Sequence, residues 1–180
     1  MDNNPCSVPE EEMKEKVRQL AKNNFRQGLN CAESVYLALV DAGVIELARE
    51  TVALATAFGG GIGLSGEICG ALVGATMGVS SVHGRKNPLT GSSEEIIDQL
   101  YGNPGRYRFF NQIPYKFKAK YGTIQCKELN RDFPQWFDKE RFRRCMSIVL
   151  DAADMAVEFI YQGKREGYTQ TFGQNMAGKV

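Results

Sequence analysis

The sequence is poor in histidine, with a single residue, His83, in a chain of 180. Conventional zinc and di-iron sites draw on several imidazoles or on histidines combined with carboxylates, so one histidine excludes a multi-histidine metal site. His83 comes at the end of an apolar segment. A helix dipole there would stabilise the charged imidazolium, so we expect a helix-end role for His83 rather than metal ligation.

The chain also lacks an excess of charge of either sign. It has 22 Lys and Arg against 21 Asp and Glu, for a net charge of +1. A nucleic acid or a membrane surface as partner is therefore not expected, because both require a clear basic excess. The most apolar segment, residues 68–82, is too short to span a bilayer. Residues 1–6 lack the basic and apolar regions of a secretory signal, so we expect a cytoplasmic location.

Two familiar motif contexts are missing as well. The five cysteines contain no C-x-x-C pair, which excludes zinc-ribbon and thioredoxin-like spacing. Residues 61–66 match the dinucleotide pattern G-x-G-x-x-G, but that pattern must follow a strand and precede an acidic residue by about 20 positions. The segment before it has helical periodicity, and no Asp or Glu lies between Glu67 and Glu94. We therefore do not expect a dinucleotide site.

Apolar side chains recur at helical spacing along most of the chain, and no segment is convincing as a strand. The length suits one domain with a sizeable core. We predict an all-α, single-domain bundle of about five to seven helices, spanning 1–180 with polar tails at 1–7 and 163–180. The predicted helices cover 7–28, 31–42, 45–58, 67–82, a segment from 94, two segments within 102–122, and 138–161.

The stretch from Phe58 to Gly78 is dense in glycine and joins a glycine-rich loop to the predicted central apolar helix, residues 67–82. Gly70, Gly74 and Gly78 share one face of it, although each glycine costs a helix roughly 1 kcal/mol relative to alanine. Such a stripe indicates that a second helix, a second subunit or a bound group comes close to the backbone. We therefore predict that Gly70 and Gly74 approach a cofactor, and that the protein forms a homodimer.

Four cysteines are candidates for chemistry. Cys31 follows the predicted N-cap Asn30, and Cys69 falls in the first turn of the central helix, where backbone N–H groups and the dipole lower the pKa of a thiol. Cys126 lies in or beside a connection, where its side chain can be aimed freely. Cys145 lies about two turns into the last helix, after a charged stretch, 138–144, whose arginines favour a thiolate and which is otherwise expected to be a solvated face.

The segment Cys69-Gly70-Ala71-Leu72-Val73-Gly74 resembles the C-G-A-x-x-G motif of the C_GCAxxG_C_C family. Cys31, Cys126 and Cys145 resemble the other three cysteines of that family, and the resemblance covers about residues 12–162. It implies a small, mostly helical bacterial or archaeal protein with a redox role. A related domain accompanies haem and an iron–sulfur cluster in split-Soret cytochromes, but this chain has no C-x-x-C-H haem motif.

The residues and the resemblance together leave three functions open. In the first, Cys31, Cys69, Cys126 and Cys145 bind an iron–sulfur cluster, [2Fe–2S] in type, and exchange electrons with a redox partner protein; zinc is the redox-silent alternative. In the second, two of the cysteines form a reversible disulfide without a metal, as in a thiol–disulfide oxidoreductase. In the third, the protein is structural and its cysteines are small core residues.

Overall fold

The computed structural model describes residues 8–178, so Cys6 and the predicted helix cap Ser7 lie outside the described residues. Between 8 and 178 the chain folds into helices and loops without a strand, which confirms the all-α prediction. The helices are α1 (Glu10–Arg26), α2 (Cys31–Asp41), a 3₁₀ helix (Arg49–Phe58), α3 (Gly70–His83), α4 (Ser93–Tyr101), α5 (Arg106–Phe110), α6 (Gln112–Tyr121), α7 (Cys126–Leu129) and α8 (Lys139–Glu166).

Local signals account for where α2 starts. The side-chain oxygen of Asn30 accepts hydrogen bonds from the backbone N–H groups of Ala32 and Glu33, at 2.9 and 3.0 Å. The Glu33 carboxylate in turn accepts from the Asn30 N–H at 3.0 Å. This capping box satisfies backbone donors that the first turn of a helix leaves unpaired. The predicted cap is confirmed, and it fixes Cys31 as the first residue of α2.

Two predicted helices have different bounds in the structure. The segment predicted as a helix over 45–58 is a 3₁₀ helix that begins only at Arg49, and Ala55 is its only buried residue. Without a buried apolar face, a short segment gains little packing energy to hold an α-helix. The last helix, predicted to end at Tyr161, continues to Glu166, and Gly163 lies inside it. A side chain at Gly163 would come within 2.6 Å of the His83 ring, so the glycine serves helix packing there.

The core lies where α8 packs against α1 and α3, with α2 between those two helices. Apolar side chains on one face of each helix are fully buried there, as their helical spacing predicts. Members of this core include Val17, Ala21, Val35, Leu39, Leu72, Ala75, Val79, Val149, Ala152, Ala156 and Ile160. The start of α8 extends past this core and carries Cys145 to the side where α2 and α3 begin.

The glycine stripe of α3 faces α2 of the same chain. A Cβ at Gly74 would lie 2.5 Å from the carbonyl oxygen of Ala32, and one at Gly78 would collide with the side chain of Leu39. The stripe therefore lets two helices approach within the chain, one of the reasons predicted for it. Because the stripe is buried here, it no longer argues for a second subunit, and the homodimer stays a prediction.

His83 ends α3, as predicted, but its protonation is the reverse of the expectation. The ring is buried, with Nε2 at 3.0 Å from the carbonyl oxygen of Ile160 and Nδ1 at 3.0 Å from the Tyr168 hydroxyl. Burial lowers the pKa of His83, and the charges of Lys164 and Arg106 lower it further. Desolvation therefore outweighs the helix dipole, and the neutral imidazole is favoured.

Candidate functional site

A cavity of about 490 Å³ is lined by all four of the predicted cysteines. Cys31 begins α2, Cys69 is the N-cap residue of α3, Cys126 begins α7, and Cys145 lies in α8. Four separate elements thus bring one thiol each to the same space. The rest of the lining is mostly apolar: Phe25, Leu29, Leu64, Leu129, Trp136, Phe137, Phe142 and Ile148, with Gly28, Asn30, Gly59, Gly60, Asn130 and Arg141.

Two of these positions refine the expectations from sequence. Cys69 was expected within the first turn of its helix, but it is the capping residue before that turn, with extended backbone dihedrals. Cys126 was expected in or beside a connection, and it opens a helix of four residues that follows one. Cys69 and Cys126 are buried, whereas Cys31 and Cys145 are partly exposed, and all four are free thiols.

The glycine-rich loop, residues 59–66, brings the Cys69 and Cys126 segments together. Six of its eight residues have positive φ, including the non-glycines Ile62 and Leu64. Such a winding loop needs glycine where it passes closest to its neighbours. A Cβ at Gly61 would lie 2.8 Å from the Cβ of Cys126. The Cys126 N–H donates to the carbonyl oxygen of Glu67 at 2.6 Å, which fixes the start of α7 against the end of the loop.

Asn130 connects two of the thiols. Its amide nitrogen donates to the sulfur of Cys126 at 3.6 Å and to the carbonyl oxygen of the same residue at 2.8 Å. The Cys145 thiol donates to the amide oxygen of Asn130 at 3.4 Å. One side chain therefore orients Cys126 and Cys145 from opposite ends of its amide.

Arg141 is the cation of the site and is the one buried residue of 138–144; the rest of that stretch is exposed or half-buried, in line with the predicted solvated face. Arg141 is only 8% exposed, and its Nη1 donates to the sulfur of Cys145 at 3.6 Å. Its guanidinium carbon lies 3.8 Å from the centre of the Trp136 ring, and its Nε donates to the Trp136 carbonyl oxygen. Cation–π contact and hydrogen bonds to sulfur and carbonyl together hold the charge beside the cavity.

Sequence reasoning missed the roles of Asn130 and Arg141, although a signal was present. Asn130 follows Cys126 by four residues, and Arg141 precedes Cys145 by four residues. Residues four apart lie on the same face of a helix. A polar side chain at that spacing from each helical cysteine therefore marks a partner for its sulfur.

Cys69 and Cys145 are less acidic than the sequence predicted. Burial raises the pKa of Cys69 to about 12, and the nearby Cys31 and Cys126 add to the shift. The N–H groups of Ala71 and Leu72 oppose it, although neither makes a capping hydrogen bond to the sulfur. Burial likewise raises the pKa of Cys126 to about 11 and raises that of Cys145 despite the charge of Arg141. Desolvation outweighs both the helix terminus and the arginines.

The two glycines predicted to approach a cofactor are placed differently. Gly70 lies beside a thiol, since a Cβ there would come within 2.6 Å of the Cys31 sulfur and 2.5 Å of the Phe58 carbonyl oxygen. Gly74 faces the backbone of α2 instead. Neither lines the cavity. Gly70 therefore makes room for Cys31, and Gly74 makes room for a helix.

The sulfurs surround a space rather than converge on a point. Within residues 8–178, no three side chains of His, Cys, Asp or Glu are grouped closely enough to hold a metal ion. The cavity volume falls within the range of roughly 300–1,000 Å³ that is typical of small-molecule and cofactor sites. The donor set is all sulfur, which suits a thiolate-bound group wider than a single ion.

Comparison with known proteins gives the same four cysteines a family context. Residues 29–159 match the family described as "Putative redox-active protein (C_GCAxxG_C_C)", and all four cysteines fall within the match. The chain belongs to the C_GCAxxG_C_C family. The resemblance seen in the sequence is thus confirmed, and the only role that the match supplies is the general one in the family's description.

Other comparisons add little about the chemistry of this family member. An uncharacterized protein of Archaeoglobus fulgidus is 30% identical over 150 residues, which are 83% of this chain and 97% of that protein. No solved structure matches the chain. In the part of the chain described here, no helix is both long and apolar enough to cross a membrane.

Proposed function

We propose that this C_GCAxxG_C_C protein binds an iron–sulfur cluster of the [2Fe–2S] type through Cys31, Cys69, Cys126 and Cys145, and that it transfers electrons. The observation that carries the proposal is the arrival of four thiols, from four separate elements, at one cavity. Thiolates are the usual ligands of such clusters, and four of them complete a [2Fe–2S] site.

The cavity argues against a purely structural role for the cysteines. A cysteine kept as a small core residue is packed on all sides, as protein interiors are. Here Cys31, Cys69, Cys126 and Cys145 all border about 490 Å³ of unfilled space. Cys69 also belongs to the core, and Cys31 and Cys145 pack against it, but core packing alone does not explain why all four thiols face the same space, so a bound group is the better explanation.

The raised pKa values favour a metal centre over a dithiol pair. Nucleophilic cysteines need a thiolate at neutral pH. With pKa values of about 12 for Cys69 and about 11 for Cys126, both thiols stay protonated there. A bound metal changes this, because a coordinating thiol is deprotonated outright. Cys69 and Cys126 are thus poorly suited to act as nucleophiles in thiol–disulfide exchange and suited to become thiolates when metal binds.

The surrounding residues have defined parts in this proposal. When bound, the cluster supplies a one-electron acceptor and donor. Asn130 and Arg141 donate hydrogen bonds to the sulfurs of Cys126 and Cys145 and so stabilise negative charge on them. The aromatic lining from Phe25, Trp136 and Phe142 places apolar surface beside the sulfurs and so reduces their contact with water. Hydrogen bonds to sulfur and exclusion of solvent are the means by which a protein sets the potential of such a centre.

The ligand assignment is tested by replacing each cysteine with serine under anaerobic conditions. We expect each of Cys31→Ser, Cys69→Ser, Cys126→Ser and Cys145→Ser to lower iron and acid-labile sulfide content and to change the visible spectrum. Cys6→Ser is the matched control, because Cys6 lies outside the four-cysteine pattern, and we expect that variant to keep both contents.

Three results would contradict the assignment. Stoichiometric zinc without iron would mean that the four cysteines hold a redox-silent metal ion and not an iron–sulfur cluster. A disulfide between two of the four cysteines that turns over with a thiol substrate would support the dithiol alternative. Variants that lose only stability, with no metal in the parent protein, would leave the cysteines a structural role.

A further inference from the structure

We propose that the rim of the cysteine cavity is the docking surface for a small acidic one-electron carrier protein. The inference rests on the proposed redox function and adds the partner to it. The surface consists of the exposed aromatic side chains at the cavity mouth and an adjoining groove, here called the basic groove. The groove holds about 540 Å³ and is lined by Arg26, Phe137, Asp138, Lys139, Arg141, Phe142, Arg143 and Met146.

The aromatic part of the surface is exposed to an unusual degree. Phe137 is 93% exposed and Trp136 is 39% exposed, and both line the cysteine cavity. Phe142 is also exposed and stacks on Phe25 with ring centres 4.8 Å apart. Aromatic residues and arginine are enriched at protein interfaces and act as anchors there. A partner that covers Phe137 would therefore lie directly over the path to the four thiols.

The polar part of the surface carries positive charge that the chain neutralises only in part, since Arg143 pairs with Glu140. Arg26 and Lys139 are exposed and have no ion-pair partner among the described residues. The single carboxylate of the groove, Asp138, accepts hydrogen bonds from the backbone N–H groups of Glu140 and Arg141 as the cap of α8. The chain as a whole has a net charge of only +1, so this cluster is a local feature.

Charge complementarity decides in favour of an acidic partner. A basic surface steers an acidic protein into contact and repels a basic one. A second copy of this chain is a less favourable partner than an acidic protein, because a two-fold dimer through this surface would bring two basic grooves close together. Small transient interfaces of this kind, apolar at the centre and charged at the rim, are typical of electron-transfer encounters.

The exchange at this surface is a single electron transfer. With a cluster held by the four cysteines, one electron would pass between the carrier and this protein, in either direction, and no covalent bond would form or break. Phe137, Arg141 and Phe142 line both the basic groove and the cysteine cavity, so the docked carrier and the thiols share those side chains as a boundary.

The chain carries its own reporter for a binding test. Trp136 is the only tryptophan in the sequence and lies at the proposed surface. A coloured carrier docked there quenches whatever fluorescence a cluster in the adjacent cavity leaves, and calorimetry on the same samples gives the affinity independently of Trp136. The probes are an acidic plant-type [2Fe–2S] ferredoxin and, for comparison, a basic cytochrome c, each titrated into the protein at low and at high salt.

We expect the ferredoxin to quench in a saturable way at low salt and to lose most of its affinity at high salt, since the Debye length falls from roughly 30 Å at 0.01 M to about 8 Å at 0.15 M. The double variant Arg26→Glu, Lys139→Glu should bind the ferredoxin at least about tenfold more weakly. Phe137→Ser should do the same, and its exposed position leaves folding intact. The control double variant Lys86→Glu, Lys118→Glu makes an equal change in charge at two exposed residues that line neither space, and it should bind as the parent does.

Equal affinities for the parent and the double variant would overturn the proposal, as would no saturable quenching by the ferredoxin or equal binding of the cytochrome. Self-association abolished by Phe137→Ser would assign the surface to a second copy instead. Iron and sulfide are measured on the same samples to separate the two proposals. Loss of docking with iron present overturns the docking surface alone, and docking by an iron-free protein supports the surface while it contradicts the cluster.

Discussion

Arg141 is the residue whose position most directly ties the structure to redox chemistry. It is a buried cation 3.6 Å from the sulfur of Cys145. A positive charge stabilises the reduced form of a bound centre, which carries one more negative charge than the oxidised form. Its hydrogen bonds to Trp136 and Cys145 come from the same guanidinium, so charge and geometry are set together.

Arg141→Gln removes that charge while it keeps a side chain able to donate a hydrogen bond. We expect the midpoint potential of the bound cluster to fall, by on the order of 60 mV for each tenfold loss in relative stability of the reduced state. Arg141→Lys should keep more of the parent potential because it keeps the charge. Electrochemical titration measures this shift, and equal potentials in all three proteins would contradict a tuning role for Arg141.

Cys69 makes the stability of the metal-free protein depend on alkaline pH. Its folded pKa of about 12 lies above the value of about 8.5 for an unfolded cysteine. The folded state therefore binds more protons between those values, and stability is lost as pH rises through that window. We expect the free energy of unfolding to fall by at most about 1.4 kcal/mol per pH unit from this one group.

The measurement is denaturant unfolding of metal-free protein, under reducing anaerobic conditions, between pH 7 and 11. Cys69→Ala removes the titrating thiol, so the difference in stability between parent and variant should shrink as pH rises. Cys6→Ala serves as the control. A difference that stays constant over that range would mean that Cys69 ionises as it does in the unfolded chain.

At the scale of helices, cap residues and apolar spacing made much of the fold predictable. Asn30 and Glu33 form the capping box of α2, as expected from their spacing. Four of the five apolar positions expected on the inner face of α1 are buried, Met13, Val17, Ala21 and Phe25, while Leu20 is only partly buried. These signals are local, so the sequence carries them in full. The 3₁₀ helix reflects the lack of a buried face over Arg49–Phe58. Helix α8 continues past Gly163, which packs against the His83 ring. Both depend on contacts with residues far away in the sequence.

The candidate site was predictable in its cysteines but not in its electrostatics. The four thiols were identified from motif and family resemblance, and the structure brings them to one cavity. The raised pKa values of Cys69 and Cys126 depend on burial, which spacing alone does not reveal. The hydrogen bond from the Cys145 thiol to Asn130 depends on how α7 and α8 pack, which the sequence does not show. The four-residue spacings of Asn130 from Cys126 and of Arg141 from Cys145 are visible in the sequence.

The packing of α3 on α2 gives a test of the glycine stripe. Gly74→Ala would push a Cβ to 2.5 Å from the carbonyl oxygen of Ala32, which is backbone and cannot move alone. We expect a loss of roughly 1–3 kcal/mol in stability, as for other overpacked cores. Gly78→Ala meets only the end of the flexible Leu39 side chain, so its loss should be smaller.

Denaturant unfolding of both variants against the parent checks this order. Alanine is the better helix former at both positions, so helix propensity alone would make both variants more stable. A more stable Gly74→Ala variant would therefore contradict the close approach of α3 to α2. A loss for Gly78→Ala larger than for Gly74→Ala would contradict the assignment of the tighter contact.

At the scale of the whole molecule, α1, α2, α3 and α8 form a packed body, and the site lies at one end of it. Each cysteine is held by a different element, so the distances between sulfurs depend on the packing of the whole bundle. A redox site built in this way changes little in geometry between oxidation states. Such preorganisation is an advantage for electron transfer, since little has to move when the charge changes.

The homodimer predicted from the sequence is a proposal at this scale. The glycine stripe is used inside the chain, so a dimer would have to use another surface. Light scattering at several concentrations gives the answer. A mass of twice 20.0 kDa is the predicted result, and a constant mass of 20.0 kDa would remove the dimer from the account.

The central claim is that Cys31, Cys69, Cys126 and Cys145 together hold an iron–sulfur cluster. Its most direct test is the visible absorption spectrum of anaerobically purified protein, with iron and acid-labile sulfide measured on the same sample. We expect charge-transfer bands that bleach on reduction, with two iron and two sulfide per chain, as a [2Fe–2S] cluster requires. A colourless protein after anaerobic reconstitution with iron and sulfide, with four free thiols at this cavity, would contradict it.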